Sequence, residues 1–83
     1  MDERTLKALL EANAVRRLRI IAQGGQFRIE ADTGGGAKIV TTGKGSLRLW
    51  RSLESCARWL KRIGIGQAAL DLEHWQIGQR SLI

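Results

Sequence analysis

The chain reads as an α+β domain in the order α-β-β-β-β-α-β, and three observations carry that reading. Segments with helical apolar spacing bracket a central stretch of strand-like alternation. Two glycine-centred turns, Gly24-Gly25 and Gly43-Lys44-Gly45, divide that stretch into two hairpins. A short alternating run near the C-terminus adds one more strand. The expected architecture is an antiparallel sheet of two hairpins plus the C-terminal strand, with two helices on one face.

The first helix is expected over residues 3–13. Asp2 is its N-cap, and Asp2 and Glu3 suit the positive end of the helix dipole. Leu6, Leu9, Leu10 and Asn13 share one face, and Asn13 is the stop.

Strands are expected over residues 16–22 and 26–32, joined by Gly24-Gly25. A two-residue glycine loop accommodates the positive φ values of a tight hairpin. That turn dictates a register. Ala22 faces Phe27, Ile20 faces Ile29 and Leu18 faces Ala31, all apolar and all on one side. The other side pairs Ile21 with Arg28, Arg19 with Glu30 and Arg17 with Asp32. The last two pairs are of opposite charge, which stabilises a cross-strand contact and also occupies two of the arginines.

Thr33-Gly34-Gly35-Gly36 reads as a flexible connection to a second hairpin, residues 37–42 and 46–51. Thr41 and Leu47, and Ile39 and Leu49, are expected on its inner side. Lys38, Val40, Arg48 and Trp50 are then expected outside, as a basic and aromatic cluster with no acid between Gly34 and Leu53.

Ser52 caps a second helix over residues 53–63. Leu53, Cys56, Ala57, Leu60 and Ile63 form its apolar face, and Gly64 stands at the C′ position. The last strand runs from Gln67 to Leu72. From Glu73 to Ile83 the chain reads as an irregular tail.

The 83 residues make room for one domain. A core this small leaves a monomer marginal, burying about 60% of the unfolded surface. Open sheet edges add a second reason to pair, so a homodimer is expected. One cysteine, Cys56, excludes an intrachain disulfide and a multi-cysteine zinc site. No apolar run approaches the ~20 residues of a membrane span, and the opening Met-Asp-Glu-Arg does not begin a signal peptide. The expected setting is cytoplasmic, with no membrane partner and no cofactor.

Charge points to a partner. The formal charge is +6, and the segment from Arg16 to Arg51 accounts for all of it, with eight Lys or Arg against Glu30 and Asp32. Positive charge concentrated on a sheet fits a polyanion, nucleic acid first among them. Arg16, Arg28, Lys38, Lys44, Arg48 and Arg51 are the expected phosphate contacts, with Arg17 and Arg19 second because acids face them. Trp50 reads either as core or as a platform for stacking on a base. Trp59 and Trp75 read as core or interface.

Other chemistry finds little support. Neither Gly34-Gly35-Gly36 nor Gly43-Lys44-Gly45 leads into a helix as a P-loop does, so both read as turns. Cys56 and His74 could form a dyad, but no orienting group or oxyanion donor accompanies them. Asp71 and Glu73 are too few for a metal site. The chain is not expected to be an enzyme.

Leu49-Trp50-Arg51-Ser52-Leu53-Glu54-Ser55-Cys56-Ala57-Arg58-Trp59-Leu60-Lys61-Arg62-Ile63-Gly64-Ile65, followed by Leu70-Asp71-Leu72 and Trp75, resembles small plasmid-encoded partition-associated (ParC-like) proteins. The shared pattern is a short helix opening Ser-Leu and closing Gly-Ile, then a Leu-Asp strand and a nearby Trp. It covers about a third of the chain. Glu54-Ser55-Cys56-Ala57 departs from that family's Ala-rich helix start. The resemblance implies a plasmid or mobile-element setting, a role near DNA maintenance or regulation and a possible plasmid-maintenance protein partner. It carries over no catalytic residue. The expected function is thus a small basic dimeric accessory or regulatory protein that binds duplex DNA. The alternatives are a binder of RNA or single strands and an adaptor for an acidic protein.

Overall fold

The backbone turns back on itself twice, at Gly24-Gly25 and at Gly34-Gly35, and these two reversals build the sheet. The structure is a computed structural model in which residues 1–76 are described. It contains helix α1 (Glu3–Glu11), strands β1 (Val15–Gln23), β2 (Gln26–Thr33) and β3 (Gly36–Ile39), helix α2 (Leu53–Arg62) and strand β4 (Ala69–Asp71). The sheet order is β3-β2-β1-β4. The class is α+β, as expected. The expected irregular tail lies outside the described residues from residue 77 onward.

The β1–β2 register is the one the Gly24-Gly25 turn dictates, with Ala22 opposite Phe27, Ile20 opposite Ile29, and Leu18 opposite Ala31. These six residues are buried and form the sheet's share of the core. Near its start β1 takes a bulge between Val15 and Arg17, so Arg16 is an extra residue without a partner on β2.

Three features differ from expectation. First, Gly34-Gly35 is a tight hairpin turn, not a loose connection, and it sets Ala31 opposite Lys38 and Glu30 opposite Ile39. Residues opposite one another share a face, so this pairing decides which side of the next segment turns inward. Val40 continues the line, donating its amide to Ile29 O at 2.9 Å, and is fully buried. Second, the segment expected as a strand over 46–51 makes two isolated bridges instead, Leu47 with Thr41 and Trp50 with Phe27. The chain leaves the sheet edge after Val40, turns at Gly43-Lys44-Gly45, and returns to place Trp50 further along β2. Third, β4 runs parallel to β1, with Arg19 opposite Ala69 and Ile21 opposite Asp71, so the sheet is mixed.

Both helices lie on one face. Asp2 caps α1 by accepting the Thr5 amide at 2.9 Å, and Asn13 ends the turn in the left-handed region at φ 55°. Leu6 enters the core. Ser52 caps α2 through the Ser55 amide at 3.1 Å. Gly64, at φ 99°, closes it in a Schellman turn in which the Ile65 and Gly64 amides donate to Leu60 O and Lys61 O. The buried face of α2 is Cys56, Trp59 and Leu60. Leu53 and Ala57, expected in that stripe, are exposed, and Trp59 takes their place in the core.

Candidate nucleic-acid interface

The face of the sheet away from the helices was expected to be basic and free. It is closed by its own acids. Arg19 bridges Glu30 at 3.0 Å and Asp32 at 2.8 Å. Arg28 contacts Glu30 at 3.1 Å and donates to Gln23 Oε1 at 2.6 Å. Arg17 reaches Asp32 at 3.6 Å. Asp71, opposite Ile21, brings a third carboxylate to the same face. The three arginines pair with Glu30 and Asp32, and with Asp71 on the same face three arginines stand against three acids, leaving no net charge there. Alternation along β1 and β2 dictates this, because the odd positions of β1 meet the even positions of β2.

Arg48 and Trp50 are also not where the sequence placed them. Trp50 is 7% exposed and packs against Trp59, with ring centroids 5.0 Å apart. The Arg48 guanidinium lies 5.0 Å from both ring centroids and 3.5 Å from Glu3 Oε1. Glu3 also accepts the Trp59 indole N–H at 3.1 Å. That hydrogen bond, with Lys7, Arg62 and Arg48 nearby, holds the Glu3 carboxyl below its ordinary value. Arg48 thus joins α1, α2 and the returning chain. The Gly34-Gly35 turn is the cause: it phases Val40 inward, and Arg48 and Trp50 follow. The free basic and aromatic cluster expected from Lys38, Arg48 and Trp50 does not form.

Of the nine expected contacts, Arg16, Lys38, Lys44 and Arg51 make no ion pair among the described residues, and all four are exposed. They do not gather in one cluster. Arg16 stands at the bulge, beside a notch between β1 and the 66–69 chain. Lys38 is on the edge strand, Lys44 is at the Gly43–Gly45 turn, and Arg51 precedes α2. Arg16 and the Gly24-Gly25 turn lie eight residues apart on β1, about 25 Å along an extended strand. The charge is spread along the molecule, not focused on a hairpin face. The helices hold further exposed cations that were not expected as contacts, Arg4, Lys61 and Arg62, which make no ion pair among the described residues. Their signal in the sequence was a polar stripe opposite the apolar one.

Cys56 is fully buried, and burial alone raises its thiol to about 11. His74 is exposed beside Glu73. Trp75 is 41% exposed, with its ring centroid 6.2 Å from that of Phe27. No family model, curated protein or solved structure matches the chain.

Proposed function

We propose that the protein binds nucleic-acid phosphates as a small accessory or regulatory protein, with duplex DNA as its ligand and a plasmid or mobile element as its setting. The observation that carries this reading is the set of exposed cations without an ion pair among the described residues, Arg16, Lys38, Lys44 and Arg51, left over once the sheet has neutralised its own arginines. Phosphate contact by such residues displaces counterions and needs no shaped pocket. The resemblance to partition-associated proteins supports the setting. The protein acts as a homodimer in this reading. The outward row Ile39, Leu47 and Leu49, each about 40% exposed, is the apolar surface a second copy would cover.

Salt-dependent gel shifts on duplex oligonucleotides test the reading. Four contacts per protomer in a dimer give a log–log slope of roughly −7. Sedimentation equilibrium at micromolar concentration should give twice the 9.2 kDa of the chain. Absence of binding to any oligonucleotide at about 50 mM salt, where phosphate contacts are strong, would assign the cations to an acidic protein instead.

A further inference from the structure

A cleft opens at the Gly25 end of the sheet, between the turn, the start of α2 and the chain that follows β4. Phe27, Leu53, Leu72 and Trp75 give it apolar walls, and Arg51 and Gln76 add polar groups. Its volume is about 390 Å³, within the usual range of ligand sites.

The main chain holds the walls in place. The Gly24 amide donates to His74 O at 3.1 Å, and the Gln76 amide donates to Gly24 O at 2.8 Å. This pair straddles Trp75 and fixes it beside the hairpin turn. Phe27 and Trp50 exchange both of their main-chain hydrogen bonds, at 2.8 and 2.9 Å, and so fix the residue before Arg51. A site held this way is preorganised, which lowers the entropy lost on binding.

Its chemistry has two halves. Trp75 is the exposed tryptophan of the three, since Trp50 and Trp59 are 7% and 3% exposed. Exposed Leu53 and Leu72 flank it. Arg51 has no acid partner among the described residues. Ser52 Oγ accepts the Ser55 amide, leaving the Leu53 and Glu54 amides without an acceptor among the described residues. The Glu54 carboxylate in the same turn is held by Arg58 at 2.6 Å. An apolar side chain would use the aromatic wall and leave the cation idle. A bare anion would do the reverse. A nucleotide offers a π-face and a phosphate together.

We infer that this cleft takes one unstacked nucleobase against Trp75, with its attached phosphate held by Arg51 and the first turn of α2. The inference rests on the phosphate-contact reading and adds to the duplex binding proposed above a second mode, for strands whose bases are free. Base–aromatic stacking is sequence-tolerant, so the cleft discriminates unpaired from paired bases and not one sequence from another.

The test compares a short single-stranded DNA with an abasic oligonucleotide of the same length and charge, followed by tryptophan fluorescence. The base-bearing strand should bind about tenfold more tightly and quench the emission. Trp75→Ala should abolish the difference while leaving abasic binding as it was. Trp75→Phe keeps an aromatic face and should retain most of the preference, which separates lost stacking from lost folding. Arg51→Ala should weaken both ligands. If both oligonucleotides bind equally to the wild-type protein, the cleft is not a base site although the phosphate reading stands. If neither binds while a duplex does, the cleft inference falls and the phosphate reading stands; if the duplex fails as well, both readings fall. Quenching by an acidic apolar peptide and not by the base-bearing strand would give the cleft to a protein partner and overturn the inference.

Discussion

The hairpin around Gly24-Gly25 and the one around Gly43-Lys44-Gly45 carry the same kind of sequence signal and end in opposite orientations. In the first, alternation and turn together put Leu18, Ile20 and Ala22 in the core, where they are found. In the second, alternation groups Ile39, Thr41, Leu47 and Leu49 on one side and Lys38, Val40, Arg48 and Trp50 on the other; of the side expected outward, Val40 and Trp50 are buried and Arg48 is half-buried, while Lys38 at the edge is exposed. A period of two says which residues share a face. It is silent on which face meets the core, and a one-residue change of phase exchanges the two sides. The phase of the second hairpin comes from the Gly34-Gly35 turn between them.

The largest expected effect tests that inversion. Trp50→Ala empties a core site and should cost about 3–5 kcal/mol. Leu49→Ala, at an outward position that a second copy would cover, should cost less, about 1–2 kcal/mol. Urea denaturation of the two variants measures both. Equal losses would mean that the second hairpin is not inverted.

Next in size is the contrast between arginines. Arg48→Ala removes a guanidinium from two indole rings and from Glu3, and should cost about 1–2 kcal/mol. Arg17, largely exposed and 3.6 Å from Asp32, should cost less than about 1 kcal/mol when changed to Ala. The Glu3 carboxylate adds a pH signature. Its folded-state value lies below the ordinary 4.5, so its contribution is complete above that value and is lost as pH falls through the lower one. Thermal melts of Glu3→Gln should therefore show a weaker acid dependence below about pH 4.5 than the wild type.

The smallest effect is on ligand binding. Lys38→Ala should leave the melt unchanged and lower the salt slope of DNA binding by about one unit. Arg48→Ala should leave that slope where it was. The reverse result would return the phosphate contacts to Arg48.

How far the sequence reached follows from the range of each signal. The Gly24-Gly25 register, the Asp2 and Ser52 caps and the Gly64 stop are local, and all are found. The contact of Glu3 with Trp59 joins residues 56 positions apart, and no local pattern announces it. The direction of β4 was equally hidden, because three alternating residues look the same in parallel and antiparallel pairing. Arg16 and Arg51 could be picked out as unpaired because no acid faces either one in the expected pairing. Trp75 carried no reading beyond core or interface, since its exposure depends on where the chain after β4 comes to rest.

The parallel pairing of β4 has a kinetic consequence. The β1-β2-β3 meander closes through two-residue turns, whereas joining Ala69 to Arg19 requires bringing together positions fifty residues apart. Loop closure of that length carries a larger entropy cost and slows formation of the contact. The meander is therefore expected to assemble early, and β4, like the pairing of α1 with α2 across 56 positions, to dock late. Amide exchange should follow the same order, with Leu70 and Asp71 opening well before Ile20 and Ile29. Trp75 follows β4, so the wall of the Gly25-end cleft belongs to the part of the molecule that closes late. A ligand seated there would slow exchange in β4 ahead of every other strand.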